Sequence, residues 1–261
     1  MLVLIRGAGD LASGIALRLH HAKMKVVMTD LPQPTAIRRT VCFSQAILHG
    51  EMTVEDVTAV HAGSPHEAEE ILSEGKIAVL VDPEAACIKT LRPHAVVDAI
   101  LAKRNLGTKI TDAPCVVGVG PGFTAGLDCH AAVETMRGHT LGRVITEGSP
   151  LPNTNVPGLI GGFAGERVLR APADGVFCQV RQIGDMVKQG DIAGFVGEAP
   201  MLCQLDGVLR GILADGTPVH EGMKAGDVDP RGVRAYCFTV SDKALAIGGG
   251  VLEAILRFSE G

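Results

Sequence analysis

Through the first 120 residues, apolar positions fall in short β-rich runs separated by stretches with helical spacing. The runs lie at 2–6 (LVLIR), 25–29 (KVVMT), 77–81 (IAVLV), 95–97 (AVV) and 115–119 (CVVGV), and a helical pattern starts at Leu11. Such alternation predicts parallel strands joined by crossover helices. Three runs are followed or closed by an acid, Asp30, Asp82 and Asp98. Ligands of open parallel sheets bind outside the carboxyl ends of the strands, so these acids can share a crevice; alternatively each caps the next helix.

From about Glu166 the pattern changes to many short β segments divided by Gly and Asp. Residues 171–196 align without a gap on 203–228 at an offset of 32: Asp174-Gly175-Val176 falls on Asp206-Gly207-Val208, Gly184 on Gly216, Val187 on Val219 and Gly190 on Gly222. A duplicated unit too small to bury its own apolar face is expected to pair with its copy into a two-layer β sandwich. The last stretch, "FTVSDKALAIGGGVLEAILRF", reads as a strand and a helix broken or preceded by Gly248-Gly249-Gly250, with Ser241 as N-cap. The expected organisation is a nucleotide- or cofactor-binding domain over 1–165, a duplicated β domain over 166–232, and a strand and helix over 233–261 that pack back on the body.

Two glycine loops carry the candidate chemistry. The run "RGAGDLASG" places Gly7 and Gly9 directly after the first strand, with Ala12 three residues on. This fits a dinucleotide fingerprint, in which the glycines allow a tight turn and the approach of a pyrophosphate to a helix N-terminus. Asp30 closes the second strand at the distance expected for an acid on a ribose 2′-hydroxyl, which favours NAD over NADP. Arg6 and Asp10 depart from that pattern, since a charge precedes the first glycine and an anion stands where a phosphate would lie. Arg6, Gly7, Gly9, Asp10 and Asp30 form the first candidate binding set.

The second loop, "GVGPGFTAGLDCHAAVETMRGH", clusters Gly118, Gly120, Gly122 and Gly126 after a strand, and Gly120 and Gly122 complete the binding set as an amide concavity for anions. Beyond them, His130 and Glu134 share a face whether the segment is helix or strand, and a His with a carboxylate can transfer a proton or bind a metal. Cys129 beside them is the candidate reactive thiol. Catalytic candidates are thus His130, Glu134 and Cys129, with no metal assigned.

Composition narrows the partners. A net charge of −5 and the lack of any Lys/Arg run argue against nucleic acid, and no apolar stretch is long enough to span a membrane. The expectation is a cytoplasmic protein with a nucleotide-like small-molecule ligand, its self-association left open. Seven widely spaced cysteines without a CxxC pair argue against a disulfide framework or a structural zinc site.

Two resemblances add to this reading. The "AP-x-DG" and "GD-x-V-x-x-G" turns of the duplicated segment resemble the biotinyl/lipoyl-type barrel-sandwich. The stretch "GFVGEAPMLCQLDG" at 194–207, which corresponds to the carrier hairpin, has no lysine, so the segment is expected to dock or to support rather than to carry a cofactor. The fold class expected is therefore α/β, a Rossmann-like parallel-sheet domain followed by a small all-β barrel-sandwich. The runs "RGAGDLASG", "IRR" at 37–39, "GPGFTAG", "ETMRGH", "LGRVI", "PNTN", "GMKAGDVDPR" and "SDKALAIGGGVLEA" together resemble the YqeB-like family, related to XdhC-type maturation factors. The resemblance implies maturation of selenium-dependent molybdenum hydroxylases, with an apo-hydroxylase as partner and molybdenum cofactor or a pterin dinucleotide as ligand beside NAD. The alternatives are an NAD-dependent oxidoreductase using His130 and Glu134, and a docking scaffold without ligand.

Overall fold

The computed structural model describes residues 1–154 and 156–259, so Asn155 of the PNTN run lies outside the described residues. The chain divides into two compact units that interleave along the sequence. The first holds residues Met1–Pro34, Cys42–Asn153 and Val240–Gly261, the second Thr35–Val41 and Thr154–Thr239.

In the first unit the elements run β1 (Leu2–Arg6), α1 (Asp10–His21), β2 (Lys25–Asp30), α2 (Gln45–His49), β3 (Glu51–Val54), β4 (Val57–Ala62), α3 (Pro65–Ser73), β5 (Ile77–Val81), α4 (Ile88–Leu91), β6 (Ala95–Asp98), β7 (Cys115–Val119), β8 (Ala131–Val133) and β9 (Val144–Ile145). Among the described residues these strands form one nine-stranded sheet of order β3-β4-β5-β2-β1-β6-β7-β8-β9. The interior strands β1, β2, β5, β6 and β7 are nearly continuous apolar runs, as strands covered on both faces require. The strand order reverses at β1, which pairs in parallel with β2 on one side and β6 on the other.

The second unit holds β10 (Val168–Arg170), β11 (Gly175–Gln179), β12 (Met186–Val187), β13 (Ile192–Val196), β14 (Ala199–Leu202), β15 (Gly207–Ile212), β16 (Pro218–Val219) and β17 (Lys224–Asp229). Among the described residues they form two four-stranded sheets, β10-β17-β15-β12 and β14-β13-β11-β16. With β10 and β14, which lie just before the two aligned segments and about 32 residues apart, each sheet takes two strands from each copy of the repeat. Phe177, Val196, Leu209 and Val228 fill the interior between them.

The copies also exchange their turn contacts. Asp174 Oδ1 of the first accepts from the Glu221 amide of the second at 2.7 Å, and Asp206 Oδ1 of the second accepts from the Gln189 amide of the first at 2.8 Å. Backbone bonds repeat the exchange: Gly190 N to Cys203 O matches Gly222 N to Ala171 O, and Phe177 N to Thr217 O matches Leu209 N to Asp185 O. Every partner is displaced by 32, so the DG aspartates and turn glycines of the alignment are the residues that lock one copy to the other.

This architecture corrects the expected fold class. The large sheet is mixed rather than parallel, because β3–β4 and β8–β9 pair antiparallel at its two edges. The small unit is a pair of antiparallel sheets to which residues 35–41 also belong. A Rossmann-like domain followed in sequence by a barrel-sandwich is therefore not the description of this chain.

The last stretch is α5 (Asp242–Ser259), an unbroken helix whose glycines serve contact rather than a break. Ser241 Oγ accepts from the Ala244 amide at 3.2 Å, as an N-cap does. A Cβ on Gly14 of α1 would lie 2.5 Å from Ala244 Cβ, and one on Gly250 would lie 2.1 Å from Gly142 O. The close crossing of α1 and α5 rests on Gly14 and on Gly248, whose Cβ would lie 3.0 Å from Gly14 O.

Candidate functional site

Arg6, Gly7, Gly9, Asp10 and Asp30 gather at the carboxyl edge of the nine-stranded sheet, where the strand order reverses; Gly120, Gly122 and Glu134 follow β7 and β8 at the same edge, whereas Cys129 and His130 precede β8 at the opposite edge. Gly7 has φ +99, and a Cβ there would lie 2.9 Å from Ala99 O. Its freedom from side chain lets the loop after β6 lie on the turn, a protein contact in place of the expected pyrophosphate contact. Gly9 is different. It precedes α1 with φ −76 and ψ −169, offers no side-chain cap, and a Cβ there would meet nothing within 4 Å. The first turn of α1 therefore begins without a side-chain acceptor at its N-cap, beside open space.

Asp30 is turned inward onto the turn. Its Oδ2 accepts from the Ala8 amide at 2.8 Å and its Oδ1 from the Leu31 amide at 2.7 Å. Burial pushes its carboxyl up from the ordinary value, against the pull of these two amide bonds. The role expected for Asp30, binding a ribose, is thus joined by a structural one: it fixes the glycine turn to the end of β2. Asp10 stands in the first turn of α1, half-buried.

Arg6 is buried at the end of β1, directly opposite Asp98 on β6. Its guanidinium donates to Thr108 Oγ1, and Thr108 Oγ1 donates in turn to Asp98 Oδ2 at 2.6 Å. The Arg6–Asp98 ion pair measures 3.6 Å, and further Arg6 bonds reach Pro83 O and Leu106 O. The charge that departs from the dinucleotide fingerprint is therefore absorbed by a buried triad that ties the loop after β6 to the sheet. Sequence reasoning missed Thr108, ten residues from Asp98 in an irregular loop with no periodic signal.

The second glycine loop is also built for protein contact. A Cβ on Gly122, φ +109, would lie 2.6 Å from Arg104 Cα, and one on Gly118 would enter the Phe123 ring. Gly120 donates its amide to Val133 O at 2.9 Å, so this amide is not held out for an anion. Gly120 and Gly122 admit neighbouring backbone and side chain rather than form the expected concavity.

His130 and Glu134 flank β8 and do not act as a pair. Four residues of extended chain span about 13 Å, so a shared face brings side chains together in a helix but not in a strand. His130 Nδ1 accepts from the Val116 amide at 2.9 Å. The two Glu134 carboxylate oxygens accept from the amides of Met136 and Leu151 at 2.6 and 2.8 Å. Cys129 is fully buried, and burial, opposed by a weaker amide bond from Gly118, pushes its thiol up to about 11. A reactive thiolate needs the opposite setting. Among the described residues no group of three His, Cys, Asp or Glu is placed to hold a metal ion.

Two further residues stand beside the turn. The Ser44 amide donates to Ala8 O at 2.9 Å, and Phe43 donates to Ser13 Oγ in the first turn and a half of α1. Ser44 Oγ and Gln45 Nε2 are buried without hydrogen-bond partners. Neither carries a recognisable motif. A separate open groove, lined by Lys89, Arg92 and His94 among others, lies by the residues that precede β6 and β7, at the opposite end of the strands.

No family model matches the chain. It is 54% identical over 255 residues to a protein of Escherichia coli (strain K12) described as uncharacterized protein YqeB, a match that covers 98% of this chain and 47% of that one. The chain thus spans about half the length of this curated relative. Among solved structures, an aspartoacylase family protein from Mesorhizobium loti is 13% identical over 87% of this chain and 83% of its own, with a TM-score of 0.26. A succinylglutamate desuccinylase from Silicibacter is 12% identical over 87% and 84%, also with a TM-score of 0.26. A succinylglutamate desuccinylase/aspartoacylase from Rhodobacter sphaeroides is 25% identical over 33% and 29%, with a TM-score of 0.22. Superpositions this loose give no common architecture from which to transfer an activity.

The expected role in maturation of selenium-dependent molybdenum hydroxylases is corrected by these findings. The relative bears no such description, and the solved structures found are of aspartoacylase and desuccinylase proteins. The oxidoreductase alternative falls with the separation of His130 from Glu134. Among the described residues no helix is long and apolar enough to cross a membrane. The chain is thus similar to YqeB over nearly all of its own length, which corresponds to about half of that protein.

Proposed function

We propose that the first unit binds a dinucleotide through its diphosphate at the N-terminus of α1, beside Gly9. One observation carries this reading: α1 starts at the point of strand-order reversal from a Gly9 that has no side-chain cap and open space before it. Backbone amides at a helix N-terminus favour an anion, and such reversal points are where open sheets take their ligands. The unpartnered Ser44 Oγ and Gln45 Nε2 beside Ala8 supply polar groups that a ligand or its water would satisfy. NAD and a pterin dinucleotide share the diphosphate, and this turn makes no distinction between them.

The test is calorimetric titration of the chain with NAD, with a pterin dinucleotide and with adenosine. The expected result is binding of one or both dinucleotides, no binding of adenosine, and loss of binding in Gly9→Leu. The Gly9 backbone accepts any side chain and has room for one, so this variant is expected to fold. A wild-type chain that takes up neither dinucleotide at millimolar concentration, or a Gly9→Leu chain that binds as tightly as wild type, overturns the reading.

A further inference from the structure

The amino edge of the nine-stranded sheet has a chemistry of its own. At the starts of β6 and β7, away from the glycine turn, a groove of about 660 Å³ opens between the end of α4 and the loop that precedes β7. Part of its lining is apolar, from Ile88, Pro93 and Pro114. The rest is mostly donors: Lys89, Arg92, His94 and Thr111, with Asp112 as the one acid.

Local structure fixes these groups. Arg92 closes α4 in the left-handed region at φ +46, its amide donating to Ile88 O at 2.9 Å. Glycine or asparagine is usual at such a helix end, so a long cationic side chain stands here against backbone preference. His94 is registered on the start of β1: its amide donates to Leu2 O at 2.9 Å, and its Nδ1 accepts from the Leu2 amide at 3.2 Å. With Nδ1 engaged as acceptor, the neutral ring carries its proton on Nε2 and offers it as a donor. Asp112 Oδ2 accepts from the Lys109 amide at 2.8 Å, which engages the acid in its own turn.

The two cations are different. Among the described residues, neither the Lys89 nor the Arg92 side chain has a hydrogen bond or an ion pair. In a chain whose acids outnumber its Lys and Arg, 29 to 24, two cations line one groove and no acid answers either.

We infer that this groove binds a small organic acid, with its carboxylate on Lys89 and Arg92 and its apolar body against Ile88, Pro93 and Pro114. Arg92 supplies the planar fork that a carboxylate matches, Lys89 a point charge, and the His94 Nε2–H and the Thr111 hydroxyl two neutral donors. Charge selects among anions. Lys89 and Arg92 less Asp112 leave one positive charge, which one carboxylate neutralises and a phosphate monoester, with nearly two charges, exceeds. The volume falls in the range of small-molecule sites, and the apolar lining calls for an aromatic or branched aliphatic body. This inference is independent of the dinucleotide reading, which concerns the opposite edge of the sheet.

The test is calorimetric titration of the chain at pH 7 with naphthoate, naphthyl phosphate and naphthol. Naphthoate is expected to bind, the phosphate ester more weakly, and uncharged naphthol about tenfold more weakly or less still. Lys89→Gln and Arg92→Gly each remove a charge-assisted hydrogen bond and are expected to weaken naphthoate about tenfold or more. Both side chains are exposed, and glycine suits the left-handed backbone at 92, so both variants are expected to unfold in urea close to the wild-type midpoint. Gly9→Leu, at the other edge, is expected to bind naphthoate as wild type does. A wild-type chain that takes up no naphthoate at millimolar concentration, or binds naphthol as well, overturns the inference. So do variants at 89 and 92 that bind like wild type, or a Gly9→Leu chain that loses naphthoate, which moves the anion to the N-terminus of α1. Tighter binding of naphthyl phosphate than of naphthoate overturns the assignment of a carboxylate.

Discussion

Removal of the Arg6 side chain tests the triad at the carboxyl edge of the sheet. Arg6 and Asp98 are almost wholly buried, with side chains 5% and 2% exposed and an ion-pair distance of 3.6 Å. At an effective dielectric of 20 their attraction is about 5 kcal/mol. Desolvation cancels much of that in the intact pair, but Arg6→Met leaves the Asp98 carboxylate buried and uncompensated, at a cost of about 3–5 kcal/mol. Asp98→Asn leaves the guanidinium in the same position and is expected to cost a similar amount. The double variant removes both charges and weakens only the hydrogen bonds around Thr108, so it is expected to lose about 1–3 kcal/mol. Native-state hydrogen exchange reads this directly at the Ala99 amide, which donates to Arg6 O. A loss of 3 kcal/mol accelerates exchange there on the order of a hundredfold. The reasoning is refuted if the double variant costs the sum of the singles to within about 0.5 kcal/mol.

Two shorter predictions follow from burial and from the exchanged caps. At pH 7 iodoacetamide is expected to modify Cys178 alone, because burial pushes Cys87 up to about 12 and Cys115, Cys129 and Cys203 up to about 11, and Cys42 and Cys237 are buried as well; modification of Cys129 in the folded chain, seen by peptide mass spectrometry, would restore it as a reactive thiol. Asp174→Ala and Asp206→Ala each remove one exchanged cap and are expected to lower the stability of the second unit by similar amounts, about 0.5–1.5 kcal/mol in urea titrations, whereas a large inequality would show that the two caps are not equivalent.

The parts of the fold that were legible in the sequence are those set by local periodicity or repetition. The runs 2–6, 25–29, 77–81, 95–97 and 115–119 are strands because each is an apolar segment bounded by turn residues. The hairpin of β3 and β4 escaped because Glu51–Val54 and Val57–Ala62 carry partly polar edge patterns, whose pairing is decided by the neighbouring strand rather than by their own sequence. That hairpin is also what turns a parallel sheet into a mixed one.

The candidate residues were legible as points of close contact and misread in what they contact. Gly7, Gly118 and Gly122 signal close approach, but the sequence does not say whether a ligand or the protein itself approaches, and in all three cases a protein atom does. His130 and Glu134 were paired by their spacing of four, which has opposite consequences in a helix and in a strand. Asp98 and Arg6 found each other through strand order, and Thr108 joined them through an irregular loop, none of which any local pattern encodes.

The exchanged turns of the second unit have a consequence for how such a unit can be assembled. A single 32-residue copy leaves its aspartate and its turn amides to water, and the protein partners for them stand on the other copy. As separate chains, the two would associate in proportion to their concentration. Joined in one chain, each copy meets its complement at a fixed high local concentration, and the sandwich no longer depends on how much protein is present. Symmetry then has to be kept only where contacts are exchanged. The outer faces are released from it, which is how one copy carries Arg210 buried while the other carries Cys178 in the open.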